Sequence, residues 1–222
     1  MKALKHYIQE GLLDDMEDVL ANGDEDIKSI IHDFIKKQYG LSQRQYEIVN
    51  DENGKFIVNV GKTALDMTMK AESFTNGLFT FGTCDGPVYA SYCKKLKTLE
   101  GAPQIVKGDF NVGFCDNLES LEGGPVEVYG SFICSNCDKL ESLKHAPKIV
   151  HEHFSASTCK NLKSLDSDTE LVGGTFSCTW CALKSLDGAP KIVKGKFMCN
   201  NNPKKFSRED VLKYCKTNDI RC

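Results

Sequence analysis

The stretch VKGDFNVGFCDNLESLEGGP, residues 106–125, recurs with variations through residues 101–190. A phenylalanine recurs at intervals of 22, 22, 22 and 21 residues, at Phe110, Phe132, Phe154, Phe176 and Phe197. A cysteine recurs every 22 residues, at Cys93, Cys115, Cys137, Cys159 and Cys181. A fixed period in the twenties indicates a solenoid, because each repeat is too short to bury its own apolar face and must stack on its neighbours. The sequence therefore predicts a repeat array over residues 83–206.

Residues 1–40 have the apolar spacing of helices rather than that of the repeats. Over residues 1–21, one helical stripe is formed by Leu4, Ile8, Leu12, Met16 and Val19. A second helix is predicted to start with Asp24 or Asp26 as its cap and to run to about Tyr39. Residues 1–38 contain five lysines against nine aspartates and glutamates. We expect either a helical arm that covers the solenoid or a docking tag whose apolar stripe binds another protein.

Residues 41–82 change to the period of β-strands. Two strand-like runs, YEIV at 46–49 and FIVNV at 56–60, flank Asn53-Gly54, which is a strong hairpin signal. Alternation continues through Leu65, Met67 and Met69, which predicts that these three side chains lie on one side. We interpret residues 41–82 as a β-rich cap on the first open end of the solenoid, where unpaired backbone groups need covering.

Residues 207–222 are predicted to form a capping helix at the other end. Ser207 begins a capping box, although its fourth residue is Asp210 where Glu or Gln is usual. These segments together predict an α+β fold. It consists of a β-solenoid of about five to six 21–22-residue coils, N-terminal helices with a β-hairpin cap, and a C-terminal capping helix.

The repeat resembles the leucine-rich repeat, L-x-x-L-x-L-x-x-N/C-x-L. The resemblance makes Phe110 and Val112 inward strand residues and Cys115 the Asn/Cys ladder position, so it implies a leucine-rich-repeat-like solenoid. The chain departs from this pattern at the first leucine. Valines lie one residue earlier, at Val106, Val128, Val150, Val172 and Val193. We therefore expect the entry into each strand to differ from the usual horseshoe.

A narrower resemblance concerns the repeated phrase of the type Ser-Leu-Glu-Gly-Ala-Pro, as at residues 120–125 and 185–190, and the opening LKHYIQEGLLDD at residues 4–15. Both are similar to sequences in leucine-rich-repeat-like proteins encoded by tailed phages. The resemblance covers most of the chain and implies a phage-encoded protein. The proteins of that group share no single function, so the resemblance implies none for this chain.

The cysteines allow three interpretations: a structural ladder, a metal site or a redox sensor. Cys134-x-x-Cys137 and Cys178-x-x-Cys181 look like zinc half-sites. They lie two repeats apart, however, and strands stacked about 4.8 Å apart would separate the pairs by roughly 10 Å. Asn202 occupies the ladder position of the last repeat and suits hydrogen bonding better than metal binding. The pattern favours a ladder of Cys93, Cys115, Cys137, Cys159, Cys181 and Asn202, with no cofactor and no metal.

Composition and motifs argue against several classes of function. The formal net charge of −3 gives no broad electrostatic reason to bind nucleic acid. No apolar run is long enough to span a bilayer, and residues 1–6 have no signal-peptide character. His151 and His153, expected to point the same way on one strand, form a surface pair more readily than a metal site. We predict no enzymatic activity, no membrane association, and a location in the cytoplasm of the infected host cell or in the virion.

A solenoid offers a regular outer surface on which binding residues can be arranged. The predicted strand column is Tyr89, Asn111, Ile133, Ser155, Ser177 and Met198, and the column beside it is Tyr92, Phe114, Asn136, Thr158, Trp180 and Asn201. Aromatic anchors on a rigid face are typical of binding hot spots. The predicted partner-binding residues are therefore Tyr89, Tyr92, Phe114, Ile133, His153, Trp180 and Met198.

Three functional hypotheses remain. The favoured one is a non-enzymatic protein-binding scaffold that acts on a host or phage protein, in one version by blocking a host factor or defence component. The second is a virion-associated structural or cargo protein that is addressed by its N-terminal helix. The third is a metal or redox sensor built on the Cys-x-x-Cys pairs. The partner in the favoured hypothesis is a protein, not a nucleic acid or a membrane.

Overall fold

The computed structural model describes residues 24–70 and 72–222. It confirms the solenoid and shows about eight turns of about 22 residues. Apart from the first two strands, which share one sheet, and the last two, which share the other, consecutive strands join alternate sheets, so a typical turn gives one short strand to each of two eight-stranded sheets. Neighbouring strands are parallel except the first two, Tyr46–Asn50 and Phe56–Val60, which form an antiparallel hairpin. The predicted helix over residues 1–21 lies outside the described residues.

The strands of the first sheet are, in spatial order, β1 (Tyr46–Asn50), β2 (Phe56–Val60), β4 (Phe79–Cys84), β6 (Ile105–Val106), β8 (Glu127–Val128), β10 (Ile149–Val150), β12 (Leu171–Val172) and β14 (Ile192–Val193). Those of the second sheet are β3 (Leu65–Asp66), β5 (Val88–Tyr89), β7 (Phe110–Asn111), β9 (Phe132–Ile133), β11 (Phe154–Ser155), β13 (Phe176–Ser177), β15 (Lys196–Met198) and β16 (Asp219–Arg221). Within the described residues, the helices are α1 (Asp24–Tyr39) and α2 (Arg208–Leu212).

In the second sheet, residues that are one repeat apart in the sequence pair with each other on neighbouring strands. Phe110 pairs with Phe132, which pairs with Phe154, and the series continues through Phe176 and Phe197. All five rings are fully buried, and successive ring centroids are 5.1 to 5.6 Å apart. A shift of one residue would turn these rings towards solvent, so burial of the rings fixes the register.

The valine column that departs from the leucine-rich pattern forms the inward side of the first sheet. Val106 pairs with Val128, and the column continues with Val150, Val172 and Val193, each at most 1% exposed. Each coil therefore contributes two apolar side chains, one from each sheet, to a continuous core. This is the expected difference in strand entry: the valine belongs to a strand of its own.

The predicted number of five to six coils is wrong, because the segments at both ends also wind in register. Residues 56–84 lack the repeated phrase, yet β2 pairs with β4 and β3 pairs with β5 in parallel. At the other end β16 pairs with β15, and Lys216 bridges to Ile192 of the first sheet. Backbone pairing thus continues beyond the part of the sequence in which the repeat is recognisable.

Helix α1 lies at the N-terminal end of the solenoid and helix α2 lies at its C-terminal end. In α1, Ile31 and Ile35 are fully buried, and Phe34 contacts Phe79 with ring centroids 5.8 Å apart. In α2, Ser207 Oγ accepts a bond from the Asp210 N–H at 3.1 Å, while the Asp210 carboxylate accepts from the Ser207 N–H at 2.8 Å. This helix has only five residues, and the chain continues from it into β16.

Candidate functional site

The candidate site begins at the turn that follows each strand of the second sheet. One residue per coil there has a left-handed backbone, with φ between 57° and 62°: Met69, Tyr92, Phe114, Asn136, Thr158, Trp180 and Asn201. In six of the seven coils the N–H of this residue donates to a carbonyl of the next coil, at 2.8 to 3.2 Å. We call these seven residues the left-handed column. It coincides with the turn column predicted from the sequence, extended by Met69.

The ladder cysteines follow directly after the left-handed column and point inward. All five are buried, and each thiol donates to a backbone carbonyl of the preceding coil at 3.1 to 3.3 Å: Cys93 to Met67, Cys115 to Ala90, Cys137 to Val112, Cys159 to Cys134, and Cys181 to Ala156. Asn202 donates to the carbonyls of Cys178 and Cys199, both at 2.9 Å. These side chains satisfy backbone groups where the chain leaves the sheet.

Burial favours the protonated thiol at Cys137, Cys159 and Cys181 by raising the pKa of each. It raises the pKa of Cys137 to about 12 and that of Cys181 to about 11. A thiol binds metal or attacks an electrophile as its thiolate, so a raised pKa opposes both reactions and suits a hydrogen-bond donor. All eleven cysteines lie among the described residues, and none is in a disulfide. Within residues 24–70 and 72–222, no group of three or more His, Cys, Asp or Glu side chains is placed to hold a metal.

Four members of the left-handed column are large, apolar and exposed. The exposed fractions are 75% for Met69, 45% for Tyr92, 42% for Phe114 and 62% for Trp180. A left-handed backbone costs a residue other than glycine about 1–2 kcal/mol, and asparagine tolerates it best. The chain uses asparagine at Asn136 and Asn201. Neither the backbone nor the core therefore explains bulky side chains at the other four positions.

The strand column beside the left-handed column mixes apolar residues with polar ones: Tyr89, Ile133 and Met198 are apolar or aromatic, and Asn111, Ser155 and Ser177 are polar. Tyr89 is 36% exposed, and Ile133 and Met198 are partly buried. Between them, hydroxyl groups pair across coils, with Ser135 and Ser155 oxygens 2.7 Å apart and Ser157 and Ser177 oxygens 2.7 Å apart. The two columns together form one outer face, which we call the aromatic face.

Trp180 borders a shallow groove at the end of the aromatic face. The groove is lined by Lys160, Trp180, Cys181, Ala182, Asn201, Asn202 and Pro203. Trp180 lies three coils from Phe114, which is roughly 14 Å at about 4.8 Å per coil. The polar side chains of Asn136 and Thr158 occupy the two intervening coils. The face therefore presents two separate aromatic groups with a hydrophilic stretch between them.

The two histidines do not point the same way, because residues 151–153 form the bend between β10 and β11 rather than a strand. His151 Nε2 lies 2.7 Å from Glu127 Oε1, on the first sheet. His153 Nδ1 accepts a bond from the Thr175 N–H at 2.9 Å. The structure places His153 at a corner, where it is exposed but occupied with the neighbouring coil.

A second exposed group, which was not predicted from the sequence, lies beside the first sheet. The Tyr129 ring stacks on the His151 ring with centroids 4.4 Å apart, and Lys107 Nζ lies 3.8 Å from the Tyr129 centroid. Val126 and Ile192 on the same sheet are 46% and 41% exposed. The valine column could have predicted this exposed group, because the residues directly before and after each inward valine face outward. In contrast to the left-handed column, Tyr129 lies on an ordinary backbone.

The chain matches no protein-family model, no curated protein and no solved structure. Among the described residues, no helix combines the length and apolar character needed to cross a bilayer.

Proposed function

We propose that this protein is a non-enzymatic, leucine-rich-repeat-like scaffold, encoded by a phage, that binds a host or phage protein through its aromatic face. The observation that carries the proposal is the exposure of Tyr92, Phe114 and Trp180 at left-handed positions. The fold uses a left-handed residue in each of the seven coils of the left-handed column but does not require an aromatic side chain there, because Asn136 and Asn201 adopt the same backbone. Aromatic residues kept at such strained positions are a sign of function, and aromatic side chains dominate binding hot spots.

The arrangement suits a protein surface better than a small molecule. From Met69 to Asn201 the left-handed column spans six coil steps, or roughly 29 Å at about 4.8 Å per step. A face of that length is long enough for a standard protein interface, which buries about 800 Å² on each partner. The paired serine hydroxyls between the aromatic groups would lie at the centre of the contact and exchange hydrogen bonds with the partner.

The ends of the solenoid are proposed to be capped, which leaves the side of the solenoid for binding. The buried Ile31 and Ile35 support a cap formed by α1 and the β1–β2 hairpin. At the other end, Val211 of α2 is fully buried, which supports a cap formed by this helix. Capping protects unpaired strand edges from further pairing and favours a defined assembly. In this proposal the protein acts in the cytoplasm of the infected cell and inhibits the partner by occupying its surface.

The test uses asparagine, because the chain itself places asparagine in the left-handed column. We expect the triple variant Tyr92→Asn, Phe114→Asn, Trp180→Asn to keep the fold and to lose a partner captured from host lysate by the wild-type protein. The matched control is Tyr129→Asn, which removes an exposed aromatic ring from the first sheet. Binding of the identified, purified partner should weaken at least about tenfold in the triple variant. Equal binding by the triple variant and the wild type would refute the proposal.

A further inference from the structure

Two cysteine side chains meet where the last strand joins the solenoid. Cys199 follows β15 and Cys222 follows β16, and their sulfur atoms are 3.4 Å apart. The backbone holds them in place, because Met198 pairs with Arg221 and the Cys199 N–H donates to the Arg221 carbonyl at 2.8 Å. Neighbouring strands are about 4.8 Å apart, which lies within the range of Cα separations found in disulfides.

These two thiols differ from the ladder thiols in access. Each ladder cysteine donates to a backbone carbonyl, and the Cys199 thiol hydrogen-bonds to the Cys222 sulfur. Cys199 is 1% exposed, and burial raises its pKa. Cys222 is exposed and within reach of a dissolved reagent. The pair thus combines one accessible thiol with one protected thiol at contact distance.

We propose that Cys199 and Cys222 are an oxidation site, at which a small disulfide such as oxidised glutathione creates a Cys199–Cys222 disulfide that fastens β16 to β15. The Cys222 thiolate attacks one sulfur of oxidised glutathione, which forms a mixed disulfide and releases one glutathione. The Cys199 thiol then loses its proton to solvent, a step that its burial slows, and its sulfur, held at contact distance, attacks Cys222 and releases the second glutathione. The protein loses two electrons and two protons, and one glutathione disulfide becomes two glutathione molecules.

The disulfide would stabilise an end of the solenoid, where β16 has a single strand partner. β16 is three residues long and is the edge strand of the second sheet. Its Ile220 is only partly buried. Short edge strands open readily, and a covalent link between successive coils removes that freedom. This site is separate from the Cys-x-x-Cys pairs and does not depend on the proposed binding function.

The main competing disulfide would join Cys199 to Cys178, which occupies the equivalent inward position one coil earlier. Cys178 is fully buried, and its thiol donates to the Met198 carbonyl at 3.5 Å. Cleavage after lysine separates the two outcomes. It releases Cys199 in residues 197–204, Cys222 in residues 217–222, and Cys178 in residues 164–184.

The experiment treats the full folded chain with oxidised glutathione, blocks the remaining thiols, and maps the lysine-specific fragments by mass spectrometry without reduction. We expect residues 197–204 linked to residues 217–222 in the wild type and in the Cys215→Ser control. In Cys199→Ser we expect a glutathione adduct that stays on Cys222. A lasting Cys222 adduct in the wild type, or a link between residues 164–184 and 197–204, would overturn the proposal.

Hydrogen exchange provides a second readout that does not depend on Cys199 variants. Oxidation is expected to slow amide exchange in residues 217–222 at least about tenfold in the wild type, because opening of β16 then requires the last coil to open with it. Exchange in Cys222→Ser, a substitution at an exposed position, should not respond to oxidised glutathione. If oxidation leaves wild-type exchange unchanged, the disulfide does not fasten β16 and the proposal fails.

Discussion

Tyr92 and Phe114 stack with their ring centroids 4.7 Å apart and their planes 7° from parallel, although each has a left-handed backbone. Such a pair contributes about 0.5–1.5 kcal/mol beyond the area that it buries. The left-handed backbone costs about 1–2 kcal/mol at each residue. The stack therefore does not recover the cost of placing both rings at these positions, and the remainder is consistent with selection for binding.

The first prediction concerns the cost of this strain at a position without an exposed ring. Thr158 has φ 62°, which is unfavourable for a β-branched residue. Thr158→Asn should raise the free energy of unfolding by about 0.5–1 kcal/mol, because asparagine adopts this conformation more easily. Urea denaturation followed by circular dichroism measures the change. Asn136→Thr, the reverse exchange one coil earlier, is the matched control and should lower stability by a similar amount.

The period of the sequence was enough to predict the core, but not the backbone of the turns. Because Phe110 and its equivalents recur at nearly constant spacing, their burial and register follow from stacking alone. The members of the left-handed column, apart from Met69, were predicted as an exposed column, but their left-handed backbone conformation could not be predicted, because tyrosine, phenylalanine and tryptophan disfavour it. Met69 shows the consequence. We predicted it on the same side as Leu65 and Met67, but its backbone turns at φ 62° and leaves it 75% exposed.

The number of coils was missed for a related reason. Leu65, within residues 56–84, and Val88 in the next coil lie where later coils have phenylalanine, so the sequence similarity fades there while strand pairing continues. Pairing in a parallel sheet depends on backbone groups and on an inward apolar side chain, and many residue types supply the latter. The histidines were placed wrongly because a bend replaces the strand at residues 151–153, and the period-two rule does not apply to a bend.

The second prediction concerns the phenylalanine stack. Phe154 lies between Phe132 and Phe176, with ring centroids 5.1 and 5.2 Å away. Phe154→Ala should lower the free energy of unfolding by about 3–5 kcal/mol, because the ends of a solenoid cannot move independently to fill a central cavity. Chemical denaturation measures this loss. Tyr89→Ala, which removes a ring from the outer side of the same sheet, should cost about 0.5 kcal/mol or less. Equal losses for both variants would contradict the assigned register.

The third prediction distinguishes the thiol ladder from a metal site. The Cys159 thiol donates to the Cys134 carbonyl at 3.2 Å. Cys159→Ala should cost about 1–3 kcal/mol, since a buried carbonyl loses a donor. Cys159→Ser should cost less, because a hydroxyl can still donate to it. Thermal unfolding of the wild type in a strong chelator should match that in buffer alone. A large drop in melting temperature with chelator, together with equal losses for both variants, would instead support a metal.

The fourth prediction is a loss of stability in alkali that comes from the buried thiols. Burial raises the pKa of Cys84 from 9.0 to about 11. When the pH rises above about 9, the unfolded chain releases this proton while the folded chain keeps it. Stability is therefore present in full below pH 9 and is lost as the pH rises towards 11, by up to about 1.4 kcal/mol per pH unit for each such thiol.

The same sign holds for Cys181 and Cys215, each with a pKa raised by burial to about 11, so the losses add. Tyrosine and lysine side chains titrate in the same range, and a variant separates their contribution from that of the thiols. We expect the melting temperature of Cys84→Ala to be lower than that of the wild type at pH 7, and to fall less steeply between pH 9 and pH 10.5. Parallel curves for the two proteins would show that folding does not raise the pKa of Cys84, because a group with equal pKa values in both states contributes no slope.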